Sequence, residues 1–285
     1  MHLLSIKDLT IDDINEIFSL ADQMQDNKKK LLNGKTFVLF FPESSIRTRL
    51  TFEKGIKSLG GKCILFPPET LDKREALIDV AGYIENWADG IIVRHRELVK
   101  ITQLAQNLDI PIINAMSSCN HPCEIISDLY SIRNMGRDYQ SLTYTFVGEN
   151  GNIGNTWRMA AEVLNLSLNH VSTENNRIKE NDKNYTFTTD LEKVLPSTDV
   201  VLTDPLSKDT RIQEYIEKYQ ITLKRMQQCK DNSILNPCPP FFRGEEVSED
   251  VIQSNYFVGY GFKKSLIFIQ QGIILYCLNK KVHSK

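Results

Sequence analysis

The stretch at residues 36–61, TFVLFFPESSIRTRLTFEKGIKSLGG, constrains this chain more than any other. Its apolar start, residues 36–41, is short, rich in aromatic and branched side chains and preceded by Asn33-Gly34, which predicts a buried strand. Pro42 breaks it, Glu43-Ser44-Ser45 makes the turn, and from Ile46 the spacing of Leu50, Phe52, Ile56 and Leu59 is helical. Ser45 falls at the N-cap, with Arg47, Thr48 and Arg49 in the first turn. A helix start offers unpaired N–H groups and a partial positive charge. Hydroxyls and guanidiniums added there make an anion site fitted to phosphate. An ordinary capped helix with two solvated arginines has the same outline. Two cations in the first turn oppose the helix dipole, however, and require an anion or another compensation.

With 285 residues the chain can form two domains, each with its own core. The hydrophobic fraction of 41% and charged fraction of 25% suit a soluble enzyme. A net charge of −2 gives no electrostatic reason to expect nucleic acid or a membrane surface as partner. The first eight residues acquire acids too early for a signal peptide, and no apolar run approaches the roughly 20 residues of a membrane span. Six scattered cysteines predict a reduced, cytoplasmic protein. Cys119-x-His121-x-Cys123 alternates too tightly for zinc, so no metal or other cofactor is expected.

Along the chain, residues 9–25 form an amphipathic helix capped by Thr10. A second strand at 62–66 leads to a polar loop at 67–75 and a helix at 76–87. Another apolar strand, 90–93, ends in Arg94-His95, and an arginine there lies where open α/β sheets bind ligands. We read His95 as structural. A strand at 111–114 precedes His121-Pro122-Cys123-Glu124 and a helix at 125–132. After Gly136-Arg137-Asp138 a second domain opens with a strand at 142–147 and the turn Gly148-Glu149-Asn150-Gly151-Asn152-Ile153-Gly154-Asn155. Such a turn suggests a dinucleotide site, but the glycine spacing departs from G-x-G-x-x-G and no acid closes the strand at 168–173. Residues 177–185 read as a loop or a frayed hairpin, 190–195 as a short helix, and 199–203 as a strand followed by Asp204. Thr210 is expected to cap a helix running to Lys218, leaving Arg211 exposed. A strand at 233–235 and an apolar helix at 265–278 complete the series.

Ser45-Ile46-Arg47-Thr48-Arg49 resembles the Ser-Thr-Arg-Thr-Arg carbamoyl-phosphate signature of the aspartate/ornithine carbamoyltransferase family, with Ile46 in place of threonine. Further motifs appear in family order. Lys73-Arg74-Glu75 resembles the end of a mobile loop, and Val93-Arg94-His95 resembles the Val-Met-Arg-His of the aspartate enzymes. His121-Pro122-Cys123-Glu124, with Asp128-Leu129 beyond it, is similar to His-Pro-Thr-Gln. The Gly148–Asn155 turn resembles the ornithine enzymes' Gly-Asp-Gly-Asn-Asn-Val-Ala-Asn-Ser. Asn236-Pro237-Cys238-Pro239 and Arg243-Gly244-Glu245-Glu246-Val247 resemble His-Cys-Leu-Pro and Arg-Gly-Glu-Glu-Val, with Asn236 replacing histidine. The family's Ser-Met-Gly after Asp204 is absent, and so is its Ala-Glu-Asn-Arg before the last helix, for whose arginine Lys263 or Lys264 could substitute.

The resemblance implies an α/β fold of two doubly wound parallel-sheet domains joined by helices, with the active site between them. The first domain would be 1–135, completed by the C-terminal helix at 265–285, and the second 136–264. It implies that Ser45, Ile46 through its backbone N–H, Arg47, Thr48, Lys73, Arg94, His121, Glu124, Cys238 and Pro239 bind carbamoyl phosphate. Arg47, Thr48, Arg94 and His121 would be catalytic. Asn155, Asp204, Lys208 and Arg211 are the candidate amino-acid-binding residues. An imidazole N–H aimed at the carbonyl oxygen would stabilise the oxyanion formed when a neutral amine attacks. Glu124 brings a negative charge near a dianion: either the basic residues offset it, or it helps select a cationic acceptor. Asn155 and Asp204 imply ornithine or a close diamino acid; Arg211 and Gln213, resembling the aspartate enzymes' Thr-Arg-x-Gln, keep aspartate open. A non-catalytic carbamoyl-phosphate-binding paralogue also stays open. The family implies a homotrimer in which Lys73 reaches a neighbour's site, and a place in arginine metabolism.

Overall fold

The computed structural model describes residues 1–26 and 29–280. The backbone divides into two compact units, residues 1–131 with 263–285 and residues 132–262. The last five residues of the expected completing helix, 281–285, lie outside the described residues.

In the first unit, α1 (Ile11–Gln25) is capped by Thr10, whose hydroxyl accepts from the Asp13 N–H while Asp13 accepts in return. There follow β1 (Thr36–Phe40), α2 (Ile46–Ser58), β2 (Lys62–Phe66), α3 (Leu77–Glu85), β3 (Gly90–Arg94), α4 (Leu98–Leu104), β4 (Ile112–Met116) and α5 (Pro122–Asn134). The strands form one parallel sheet in the order β2-β1-β3-β4. β1 and β3 are almost wholly buried, as expected of strands covered on both faces. The outer edge of β4 is closed by the N-terminal segment, where Leu3 donates to the Ile112 carbonyl and accepts from the Asn114 N–H. The C-terminal helix, Leu266–Asn279, lies across α1. A Cβ on Gly272 would sit 2.8 Å from the Ile17 carbonyl oxygen, so only glycine allows that approach.

The second unit contains β5 (Thr143–Val147), α6 (Asn152–Leu164), β6 (Ser167–Val171), β7 (Tyr185–Thr188), β8 (Val200–Thr203), α7 (Gln213–Tyr219), α8 (Leu223–Met226), β9 (Ile234–Pro237) and α9 (Glu249–Ile252). Its parallel sheet runs β7-β6-β5-β8-β9.

Both sheets are doubly wound, as expected. In each the chain lays strands to one side of its first strand and then returns to the other side. The switch points fall between β1 and β3 and between β5 and β8. Crevices beyond the carboxyl ends of strands at such points are where open sheets hold ligands.

Some elements differ from the sequence expectation. Residues 190–195 form turns rather than a helix, and α7 begins at Gln213 with Ile212 in the cap position, so Thr210 does not cap it. Its hydroxyl donates instead to Glu149 (2.6 Å), and a partner on the β5–α6 turn lies outside any local pattern. α5 starts directly after His121, three residues earlier than expected, because Pro122 has no N–H to lose and suits the first helical position. The strand β7 begins at Tyr185, where the stretch read as a loop or frayed hairpin ends, and continues through residues that carried no expectation; Tyr185 and Phe187 alternate inward along it.

Candidate active site

The first switch point brings together the end of β3 and the start of α2. Ser45 occupies the N-cap position of α2, yet its side chain caps nothing. It is buried, and its Oγ accepts from Arg94 Nη1 at 3.1 Å. The first-turn amides of α2 therefore lack a side-chain acceptor from the cap residue, which leaves the helix start suited to an outside anion. The Ile46 amide departs from expectation: it donates to the Ser44 carbonyl (3.0 Å), drawn there by the tight turn after Pro42. Thr48 is buried and Arg47 exposed. Arg49 is held by Glu53 at 2.9 Å, one turn along the same helix.

His121 and Glu124 lie at the start of α5, both buried. Burial pushes the His121 imidazole down to about 4, and Arg94 and Lys263 push the same way against the pull of Glu124. A ring at the start of a helix is disfavoured as a cation for the same reason. At neutral pH it is an uncharged N–H donor, the form that oxyanion stabilisation uses. Burial alone would raise Glu124; Lys263, His121 and Arg47 together hold it below the usual carboxylate range. Of the two lysines before the last helix, Lys263 is the one that reaches Glu124, at 2.8 Å, while Lys264 is exposed. Lys73 lies on an exposed segment after a 3-10 turn, Pro68–Asp72.

His95 keeps to a structural role. Its Nδ1 accepts from the Glu97 N–H and its Nε2 therefore donates to Asp72 Oδ1, each over 3.0 Å. With Lys100 also on Asp72, this is a closed hydrogen-bond network, and both ring nitrogens are taken. Cys123 donates its thiol to the Asn114 carbonyl and is buried, whereas Cys119 is exposed.

In the second unit, Asp204 follows β8 at the other switch point, and a Cβ on Gly151 would lie 3.7 Å from its Oδ2. The glycine turn thus passes close by the carboxylate. Asn155, in the first turn of α6, accepts through Oδ1 from Arg158 (3.2 Å). Glu149 was not singled out by sequence. It accepts from the Ser207 N–H, the Ser207 hydroxyl and Thr210, and so fixes the segment that carries exposed Lys208. Arg211 is paired with Glu245 at 2.9 Å and donates to the Leu206 carbonyl. Its guanidinium is thus held within its own unit. Cys238 and Pro239 follow β9, where the Cys238 N–H donates to the Thr203 carbonyl over 2.9 Å.

Two family models cover almost the whole chain. Residues 1–134 match the carbamoyl-P binding domain of aspartate/ornithine carbamoyltransferase, and residues 140–277 match its Asp/Orn binding domain. The chain belongs to the aspartate/ornithine carbamoyltransferase family. Relatives named ornithine carbamoyltransferase include those of Archaeoglobus fulgidus, 26% identical with 98% of each chain covered, and Ruthia magnifica, 28% identical with 98% of this chain and 99% of the other covered. The solved ornithine carbamoyltransferase of Burkholderia thailandensis superposes with a TM-score of 0.89 at 23% identity over 99% of both chains. That of Pyrococcus furiosus gives 0.86 at 24% identity, covering 96% of this chain and 95% of the other. These likenesses agree with the two-sheet architecture of this carbamoyltransferase.

Proposed function

We propose that this carbamoyltransferase moves the carbamoyl group of carbamoyl phosphate to the side-chain amine of ornithine and releases phosphate. The observation that carries the reading is the meeting of Arg94 and Ser45 at the first switch point, above the uncapped start of α2. Ser45, Arg47, Thr48 and the helix start hold the phosphoryl group. Arg94 and neutral His121, with Thr48, surround the carbonyl oxygen, and Glu124 takes a hydrogen bond from the carbamoyl –NH2. Cys238 and Pro239 contribute backbone carbonyls to the same group.

The amine attacks as the free base, its lone pair forming a C–N bond to the carbonyl carbon. The electrons of the C=O bond move to oxygen, and the oxyanion is stabilised by fixed donors. They return as the C–O bond to phosphate breaks, phosphate leaves with the bonding pair, and it accepts the proton the nitrogen sheds. Asp204 receives the α-ammonium of ornithine, with Asn155 and Lys208 on the rest of the amino acid. Arg211 supports ornithine over aspartate, because its guanidinium is already engaged by Glu245 and the Leu206 carbonyl.

We further propose a cytoplasmic homotrimer, acting in arginine metabolism, in which Lys73 serves a neighbour's site. Support comes from the exposure of Lys73 and of Ile46, Leu50, Tyr83 and Trp87, which are 60–73% exposed in the single chain. No helix among the described residues is long and apolar enough to cross a membrane. Mixing equal amounts of Lys73→Ala and Arg47→Ala subunits would restore about a quarter of the activity if sites are shared.

The direct experiment is phosphate release from carbamoyl phosphate with ornithine, lysine, putrescine, aspartate and N-acylated ornithine. Release with ornithine is expected. Silence across the panel with carbamoyl phosphate still bound would make the chain a binding module.

A further inference from the structure

Glu124 and Asp128 lie four residues apart on α5, so their carboxylates stand on one face of the helix. Both are buried, at 6% and 3% exposure. Lys263, in the turn before the C-terminal helix, bridges them, with Nζ 2.8 Å from Glu124 Oε1 and 2.5 Å from Asp128 Oδ1. The other charged or titratable groups acting here are His121 directly before α5, Cys123 on α5, Arg47 on α2, Arg94 on β3 and Cys277 on the C-terminal helix. The two carboxylates share the Lys263 ammonium, and removing it would take a directly bonded cation from two buried acids on one helix face, a change proteins tolerate only at high cost. Position 124 and the segment before the last helix are also the two places where the family pattern has an amide and an arginine. This chain has a carboxylate and a lysine, and the two residues touch.

We propose that Lys263 is a positioning residue for the carbamoyl group: it keeps the Glu124 carboxylate fixed and charge-compensated, with Asp128 sharing the ammonium, so that Glu124 can accept from the carbamoyl –NH2 without repelling the phosphoryl dianion. The inference rests on the carbamoyl-transfer reading above. Glu124 and Lys263 then act as one unit: a buried carboxylate at 124 requires the ammonium at 263. The negative charge at 124 is offset inside the protein; it is not left over to select a cationic acceptor.

The test uses the full chain and a stable isostere, phosphonoacetamide, in which CH2 replaces the bridging oxygen and the –NH2 is retained. Binding is measured by calorimetry between pH 6 and 8 for the unaltered protein, Lys263→Met, Lys263→Arg, Glu124→Gln and the double variant, with inorganic phosphate as the probe lacking –NH2. At pH 8 Lys263→Met is expected to weaken phosphonoacetamide about tenfold or more, and inorganic phosphate less, with Lys263→Arg close to unaltered. The loss should shrink towards pH 6, because burial then lets Glu124 take a proton. The double variant, which returns the cluster to its original charge, should bind within about threefold of the unaltered protein and lose that pH dependence. A purely structural tie would lower the melting temperature of Lys263→Met without this probe-selective, pH-dependent pattern. Equal losses in Lys263→Met and the double variant, or no loss in either, would overturn the proposal. Should Lys263→Met fail to fold, Glu124→Gln is compared with the double variant: matching affinities support the proposal, and a further tenfold loss refutes it. If the unaltered protein binds phosphonoacetamide but releases no phosphate with any amine, the reaction assigned above fails while the pairing stands. If it does not bind phosphonoacetamide, both fall.

Discussion

Arg94 Nη1 donates to Ser45 Oγ over 3.1 Å, joining the carboxyl end of β3 to the start of α2 across 49 residues of sequence. The bond takes a hydroxyl that would otherwise cap α2 and gives it to a guanidinium. The helix start is left without a side-chain cap from Ser45, and the guanidinium is anchored beside it.

Ser45→Ala should therefore weaken phosphonoacetamide binding by about tenfold, the scale of one hydrogen bond to a charged group. Arg47→Ala should weaken it about 100-fold or abolish it. Calorimetry checks both, and unchanged affinity in Arg47→Ala would remove the phosphate assignment.

Asp204→Ala and Arg211→Met separate the two acceptors. The first should raise the KM for ornithine about tenfold or more while sparing phosphonoacetamide, because a charge-assisted contact to the ammonium is lost. The second should change the ornithine KM by less than about twofold, since its guanidinium already serves Glu245 and the Leu206 carbonyl. Steady-state kinetics with ornithine as the varied substrate decides; a large effect in Arg211→Met would reopen aspartate.

Glu246 is buried, and its Oε1 accepts from the Phe242 N–H at 2.7 Å. Burial pushes its carboxyl up to about 7, with Glu245 adding to the rise and backbone N–H groups and Arg211 opposing it. The folded chain thus holds this proton more tightly than the unfolded one. The stabilisation is complete below about 4.5 and is lost as pH rises to about 7. Glu246→Gln should raise the melting temperature at pH 8, by the equivalent of roughly 3 kcal/mol, and change it little at pH 4.5. Thermal melts at the two pH values test this; an equal shift at both would contradict it.

His121 and His170 behave in the opposite sense. Burial lowers each to about 4, and His170 is fixed between the Tyr185 hydroxyl and the Gly148 carbonyl. Their stabilisation is present above 6.5 and is lost as pH falls towards 4. Their ring C–H signals in NMR should stay at the neutral position down to about pH 5. Titration of His121 near 6.5 would contradict its assignment as a neutral donor.

Gly272→Ala would drive a Cβ to 2.8 Å from the Ile17 carbonyl oxygen. Separating the C-terminal helix from α1 should destabilise by about 1–3 kcal/mol, read from urea unfolding. An unchanged midpoint would show that the contact yields freely.

How far the site was readable depended on the range of the interaction. The strand–turn–helix at 36–61 and the arginine closing β3 are local patterns, and the chain folds them within a residue or two of expectation. Thr210 and Arg211 fit a local pattern equally well, yet Glu149 and Glu245 claim them from distant turns. Helix α4 shows the reverse: Leu98, Ile101 and Leu104 have helical spacing, but seven residues give too weak a signal to stand out.

Local sequence patterns were enough for most of the elements, for the alternation of strands with helices that forces parallel sheets, and for the residue types of an anion site; the short α4 and the turns at 190–195 escaped them. Which side chains meet came from packing alone: Ser45 with Arg94, Glu124 with Lys263 rather than Lys264, Arg211 with Glu245. Periodicity reports which face of an element is buried. Strand order and the path of the last helix choose the neighbour on that face, and those depend on contacts between segments far apart in the chain.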